Sequence, residues 1–263
     1  MSRLEQTFAR IRRDGRGGLV TYLTAGDPDA GRSVALLVAV ARAGADVLEV
    51  GVPFSDPLAD GPVIQRASER ALAGGMSLRG ALEVVRRVRA EVETPIVLFT
   101  YANPVVRMDP TVFARTAADA GVDGVLILDY PVEEAEPLRA PLHDAGLDPI
   151  FLISPTTSED RIRKSAALGA GFLYVISRLG VTGMRDRLAE DVGTLMARVR
   201  GCADLPVALG FGIAHPDQVA EACRVADAAV VGSALVNVVA EHAASSTECE
   251  HADEFVRWLK KSL

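Results

Sequence analysis

Eight short apolar runs alternate with longer amphipathic segments along the whole chain, and this alternation limits the possible folds more than any other feature. Because the runs are almost continuously apolar, both faces of each predicted strand are expected to be buried, as in a parallel sheet. Several predicted helices end at a glycine suited to a left-handed cap, namely Gly44, Gly121 and Gly146. The predicted strands are Leu19–Thr24, Val47–Val50, Ile96–Thr100, Gly124–Leu128, Pro149–Ile153, Phe172–Ile176, Val207–Leu209 and Ala228–Val231.

Eight strand–helix units within 263 residues favour a (β/α)8 TIM barrel, a fold that typically needs about 250 residues. Ser2–Arg13 is predicted as an added N-terminal helix and Asp253–Leu263 as a further C-terminal helix. A doubly wound open sheet is the alternative, although it more usually has about five to seven strands. Because no linker or low-complexity break interrupts the pattern, residues 1–263 are expected to form one domain. Other predicted helices include Ser33–Ala43, Leu78–Val92, Thr111–Ala120 and Asp217–Cys223.

Composition argues against several classes of partner. The net charge is −7, aromatic residues make up 5%, and no long basic run occurs, so nucleic acid is not expected as a partner. No segment has the apolar stretch of a signal peptide or a membrane span. The three cysteines are far apart, and neither they nor the four histidines show metal-ligand spacing, so we expect no metal site and a reducing cytoplasm. The cysteines are Cys202, Cys223 and Cys249.

The segment Ala45–Pro62, which reads ADVLEVGVPFSDPLADGP, is the strongest candidate for a catalytic site. Its strand carries Glu49, a charge that is costly to bury without a partner, and the loop that follows carries Asp56 and Asp60. Three prolines and two glycines give this loop a defined shape. Alternatively, Glu49 is an interior acid paired with an arginine, and the aspartates are solvated turn formers. Three acids on one strand–loop unit favour an acid–base site.

The loops after the last strands predict a phosphate site. Gly210, Gly212, Gly232 and Ser233 offer backbone N–H groups beside predicted helix N-termini, where an anion is favoured. Phosphate sites after strands seven and eight recur in TIM barrels. The preceding segment SRLGVTG is interpreted as a lid on which Thr182 could orient a catalytic carboxylate, with an ordinary surface loop as the alternative.

Motifs across nearly the whole chain resemble the tryptophan synthase alpha subunit family. TAGDP, VPFSDPLADGP, DYPVEE, SPTT, GVTG, GFGI and GSA occur in the order seen in that family. The resemblance implies retro-aldol cleavage of indole-3-glycerol phosphate to indole and glyceraldehyde 3-phosphate, with Glu49 and Asp60 as the catalytic acids. The substrate-binding positions that it implies are Tyr22, Tyr101, Tyr174, Thr182, Gly183, Gly210, Phe211, Gly212, Gly232 and Ser233.

The resemblance also implies a partner, the beta subunit, which carries pyridoxal phosphate and receives the indole in an alpha2beta2 complex. No cofactor is expected in this chain. The implied docking loop contains Pro53, Asp56 and Pro57. Two alternatives stay open: a free-standing lyase that releases indole, and a weakly active barrel kept as a binding or allosteric partner. The chain departs from the family at Leu128, beside the indole pocket, and at the charged lid end Arg185–Arg187.

Each acid is assigned a different protonation state. Glu49 is predicted to shuttle a proton between the indole ring carbon and the glycerol hydroxyl, because burial at an apolar strand end raises the pKa of a carboxyl toward neutral pH. Asp60 is predicted to accept a hydrogen bond from the indole N–H. On a loop expected to be polar, Asp60 should stay ionised.

Overall fold

The computed structural model describes residues 1–177, 191–210 and 212–263. In these ranges eight parallel strands follow one another around a closed barrel, and the last strand pairs with the first. The predicted TIM barrel is therefore confirmed, and each predicted strand end lies within one residue of the observed end. The strands are β1 (Gly18–Thr24), β2 (Val47–Gly51), β3 (Ile96–Thr100), β4 (Gly124–Ile127), β5 (Asp148–Ile153), β6 (Leu173–Ile176), β7 (Val207–Gly210) and β8 (Ala228–Val231).

Helices in the described residues cover the outside of the barrel and its lower end. Three of the glycines that follow helices have positive φ as predicted, with values of 113° at Gly44, 92° at Gly121 and 75° at Gly146. The α-helices are α1 (Arg3–Arg13), α2 (Ala30–Arg42), α3 (Pro62–Ala73), α4 (Leu78–Arg89), α5 (Ala102–Met108), α6 (Pro110–Ala120), α7 (Glu136–Asp144), α8 (Glu159–Leu168), α9 (Asp191–Arg200), α10 (Pro216–Cys223), α11 (Ser233–His242) and α12 (Glu248–Lys260).

The two terminal helices compare differently with their predictions. Helix α1 follows Ser2, whose side chain accepts the N–H of Glu5 in a capping box, so the predicted start is correct to one residue. Helix α12 starts at Glu248 and not at Asp253, so the predicted start is wrong. Glu248 is buried and accepts a 2.6 Å hydrogen bond from Arg32 Nε on α2. This contact, 216 residues apart in sequence, lies within the first turn that the prediction missed.

Helix α1 closes the lower end of the barrel. Leu4, Phe8 and Ile11 are buried, and they pack against a cluster of inward-facing strand residues. The ring of Phe8 lies 5.3 Å from that of Phe172, at the start of β6. Burial of these side chains stabilises the barrel by roughly 1.5–3 kcal/mol for each large apolar group removed from water.

Three aspartates tie the N-terminal segment to the barrel. Asp46, Asp123 and Asp227 directly precede the even-numbered strands β2, β4 and β8. Each accepts a backbone N–H from the neighbouring odd-numbered strand, at 2.7 to 2.9 Å. Each also binds one arginine of the N-terminal segment. The pairs are Arg16 with Asp46, Arg3 with Asp123 and Arg12 with Asp227, and their shortest N···O distances are 2.7, 2.9 and 2.9 Å.

The upper end of the barrel, where the strands end, positions the candidate site. Val20 and Val47 belong to the interior cluster. Because side chains alternate along a strand, Tyr22 and Glu49, two residues further on, also face the interior. The parallel register pairs Tyr22 directly with Glu49. These two side chains therefore lie side by side above the apolar floor of the barrel.

Candidate active site

Glu49 is a fully buried acid with an exposed fraction of 0%. Neither of its carboxyl oxygens has a hydrogen-bond partner among the described residues, so no arginine described there forms the pair that the alternative requires. Burial alone raises the pKa of Glu49 from 4.5 to about 8. Glu49 is therefore mostly protonated at neutral pH and close to the pKa that suits a proton shuttle.

Asp60 is the second acid, and only 7% of it is exposed. Burial raises its pKa from 3.8 to about 6, against the opposite effect of a hydrogen bond from Tyr101. The alternative of a solvated turn former is wrong for Asp60, because its carboxyl is buried and bound by Tyr101. Since the pKa lies below neutral pH, Asp60 is still mostly ionised there, as predicted. The two acids therefore hold different protonation states at the same pH.

Tyr101, after β3, holds the acidic loop at three points. Its hydroxyl donates to Asp60 Oδ2 at 3.1 Å and accepts the backbone N–H of Ala59 at 3.1 Å. Its ring lies 5.0 Å from the ring of Phe54. From the sequence it was expected only as a wall of the binding pocket, and its second role is to fix the loop around Asp60.

Tyr22 and Tyr174 line the barrel interior near both acids. Tyr22 is buried and Tyr174 partly buried. For both, desolvation is the largest cause of a strongly raised phenol pKa, with further increases from the charges of Glu49 and Asp60. Phe99 lies between them, with ring centroids 5.3 Å from Tyr22 and 6.4 Å from Tyr174. Sequence reasoning missed Phe99, although alternation from Val97 on β3 places it inward.

The glycine-rich strand ends lie next to each other at the β7–β8 edge of the mouth. Gly210 ends β7, and β7 pairs with β8. Gly232 is the N-cap of α11 and Ser233 its first residue. Gly212 has a φ of 67°, a conformation that favours glycine. The first N–H groups of α11, which have no partner within the helix, therefore lie at this edge of the mouth.

Several predicted positions lie outside the described residues: Thr182, Gly183, Phe211 and the charged segment 185–187. Leu128, the departure beside the predicted pocket, is half-buried and packs against the interior cluster. It therefore fills part of the barrel interior on the β4 side.

The predicted docking loop is exposed only in part. Asp56 is exposed and Pro57 half-buried, whereas Pro53 is buried and so shapes the loop without forming its outer surface. Leu58, which the sequence reasoning did not single out, is 90% exposed. Leu58 therefore lies at the outer tip of the loop.

In residues 1–177, 191–210 and 212–263, no three His, Cys, Asp or Glu side chains form a group that could hold a metal ion. None of the helices described there is long and apolar enough to cross a membrane.

A closed parallel barrel with two buried carboxyls and a glycine-lined edge at its upper mouth defines an acid–base enzyme of the TIM-barrel class. The sequence model of the family described as "Tryptophan synthase alpha chain" matches residues 8–262. The chain belongs to the tryptophan synthase alpha chain family, and it is thus a lyase of the tryptophan synthase type that acts as the alpha subunit in tryptophan biosynthesis.

Individual relatives support this membership over the full length. The chain is 47% identical to the tryptophan synthase alpha chain of Burkholderia thailandensis over 264 residues, covering 100% of this chain and 97% of the relative. It is 46% identical to the tryptophan synthase alpha chain of Solibacter usitatus, covering 100% of this chain and 98% of the relative. A crystal structure of the alpha subunit from Legionella pneumophila superposes with a TM-score of 0.91 at 36% identity, covering 100% and 98%. A crystal structure of tryptophan synthase from M. tuberculosis, in its aminoacrylate-bound form, superposes with a TM-score of 0.90 at 34% identity, covering 100% of this chain and 99% of that chain.

Proposed function

We propose that this chain cleaves indole-3-glycerol phosphate to indole and glyceraldehyde 3-phosphate by a retro-aldol reaction in which Glu49 and Asp60 are the catalytic residues. The observation that carries the proposal is the pair of buried carboxyls with different pKa values, about 8 and about 6. Between these values one carboxyl is protonated and the other ionised, and the reaction needs both states at once.

Glu49 performs both proton transfers. Its protonated carboxyl donates a proton to the indole carbon that bears the glycerol side chain. The resulting carboxylate then accepts the proton of the adjacent glycerol hydroxyl. The carbon–carbon bond breaks, its electron pair restores the aromatic ring, and the hydroxyl carbon becomes the aldehyde. Glu49 ends the reaction protonated, as it began.

Asp60 stabilises the charge that appears between these transfers. Protonation of the ring carbon places positive charge on the indole nitrogen. The Asp60 carboxylate accepts a hydrogen bond from that N–H, and the low exposure of Asp60 strengthens the interaction. The hydrogen bond from Tyr101 keeps the carboxylate in place and lowers its pKa.

The substrate's phosphate is assigned to Gly210, Gly212, Gly232 and Ser233. The free N–H groups at the start of α11 and its dipole favour an anion there. Tyr22 and Tyr174 then form the wall between the phosphate and the acids, and Thr182, Gly183 and Phe211 are assigned to the lid and the ligand by resemblance alone.

The assigned partner is a beta subunit that carries pyridoxal phosphate and receives indole in an alpha2beta2 complex. The surface assigned to it is the exposed part of the acidic loop, namely Asp56, Pro57 and Leu58. The chain itself needs no cofactor for the proposed chemistry, because both proton transfers use its own carboxyls. We place the complex in the cytoplasm, in line with the three free cysteines.

Cleavage of indole-3-glycerol phosphate by the purified chain, with and without beta subunit, tests the proposal. Glu49→Gln keeps the shape of the side chain and removes the proton, so turnover should fall by roughly 10²–10⁴-fold or more. Glu254→Gln, the same change at an exposed position of α12, serves as the matched control and should leave turnover unchanged. Wild-type turnover by Glu49→Gln would contradict the role of Glu49. Absence of cleavage by the wild-type chain both with and without beta subunit would contradict the function.

A further inference from the structure

The acidic loop ends in a tight turn whose base is closed by a side chain from α3. The backbone N–H of Asp60 donates to the carbonyl of Pro57 at 3.0 Å. The side-chain amide of Gln65, on the first turns of α3, donates to the carbonyl of Asp60 at 2.9 Å and to that of Pro57 at 3.4 Å. One side chain thus binds both ends of the turn.

The tip of this turn and its last residue, Asp60, face different surroundings. Between them, Leu58 and Ala59 project into solvent at the tip of the loop. Asp60 is buried in the mouth of the barrel. A displacement of the tip can reach Asp60 by two routes: through the base of the turn, where Gln65 holds it to α3, and through the Tyr101 hydroxyl, which binds Ala59 and Asp60.

We propose that Gln65 is a positioning residue that couples the exposed loop tip to Asp60, so that a protein bound at the tip changes the orientation of the Asp60 carboxyl. This inference rests on the proposed function, because it assigns the partner's effect to one catalytic acid. The coupling is reciprocal: whatever orientation of Asp60 the bound partner favours must in turn favour partner binding.

Substitutions at Gln65 separate this role from a merely structural one. Gln65→Met keeps the length of the side chain and removes both donated hydrogen bonds. Gln65→Asn keeps the amide but is one methylene shorter and cannot span both carbonyls. Glu69→Gln, one helical turn later on an exposed position of α3, is the matched control.

Without partner, Gln65→Met should lower kcat about tenfold with little change in KM, because a mispositioned Asp60 weakens contacts made in the transition state. Its activation by the beta subunit, measured as the ratio of kcat with and without saturating partner, should fall toward one. Gln65→Asn should change both quantities in the same direction and by less. Hydrogen exchange of the backbone amides of residues 57–60 should be faster in both variants.

Wild-type kcat and a wild-type activation ratio in Gln65→Met would overturn the inference. If Gln65→Met does not fold, the same result with Gln65→Asn overturns it. Failure of the wild-type chain to cleave the substrate contradicts the proposed function and not the coupling. The coupling is then tested by whether the beta subunit slows exchange at residue 60 in the wild-type chain and not in Gln65→Met, and equal slowing in both would overturn it.

Discussion

The phenol of Tyr22 occupies the space in which a side chain on Gly51 would begin. A Cβ atom on Gly51 would lie 2.0 Å from Tyr22 Oη and 2.5 Å from Cζ. The strand register pairs Tyr22 with Glu49, so the ring passes beside the acid and ends over the glycine two residues further along β2. Position 51 must therefore be a glycine, because the ring of Tyr22 beside Glu49 leaves no room for a Cβ atom.

Gly51→Ala is therefore expected to displace Tyr22. We expect a loss of stability of about 1–3 kcal/mol from overpacking and a fall in kcat/KM of up to about 10²-fold from misplacement beside Glu49. Urea unfolding and cleavage kinetics measure the two effects. Gly193→Ala, on α9 with no atom within 4 Å of the added methyl, is the control and should be neutral or stabilising. Unchanged kinetics in Gly51→Ala would show that Tyr22 does not help to shape the site.

The buried carboxyl of Glu49 is expected to make stability depend on pH. The folded state keeps this proton up to about pH 8, whereas the unfolded chain loses it near 4.5. The contribution of the protonated carboxyl is therefore complete below about pH 4.5 and is lost as pH rises through about 8. Glu49→Gln cannot lose a proton, so its free energy of unfolding relative to wild type should increase from pH 5 to pH 9. Urea unfolding at several pH values measures this difference, and a constant difference would contradict the raised pKa.

Tyr101→Phe should shift one limb of the pH–rate profile. The proposed mechanism needs Asp60 ionised and Glu49 protonated, so kcat/KM should rise near pH 6 and fall near pH 8. Loss of the phenol removes the hydrogen bond that lowers the pKa of Asp60, and the acid limb should move to higher pH while the alkaline limb stays. Tyr130→Phe, the same change at a position outside the acid pair, provides the control, and equal profiles for both variants would argue against Asp60 as the ionised group.

Arg70 and Asp27 form a bidentate pair that joins the TAGDP loop to α3, with two N···O distances of 2.8 Å. Asp27 is 4% exposed and Arg70 39%. Arg70→Met leaves the carboxylate buried without its partner, at an expected cost of roughly 1–3 kcal/mol. Adding Asp27→Asn should recover part of that loss. Urea unfolding of the two single variants and the double variant gives the coupling energy, and strict additivity would mean that the pair contributes nothing.

The parts of the structure that could be predicted from the sequence are those set by local pattern. Continuous apolar runs located all eight strands, and the glycine after α6 has the expected left-handed conformation, with a φ of 92° at Gly121. Glu49 could be singled out because a lone carboxylate in such a run is unusual.

The parts that could not be predicted depend on contacts between distant segments. Asp60 is buried because Tyr101, 41 residues later, covers it and donates a hydrogen bond. The early start of α12 accompanies the contact of Glu248 with Arg32, and no local pattern contains that pairing. Nor did the motif around Pro53 reveal that this side chain turns inward.

The buried acids at the two ends of the barrel differ in whether they have partners. At the lower end, arginines and strand N–H groups bind the carboxylates of Asp46, Asp123 and Asp227. At the upper end, the carboxyl of Glu49 has no hydrogen-bond partner in the described residues. A buried carboxyl without a hydrogen-bond partner costs stability, whereas the buried side chains of α1 supply some of it. Substitutions in the upper loops that adapt the site to a new substrate should therefore be tolerated, because these contacts that stabilise the barrel lie at its opposite end.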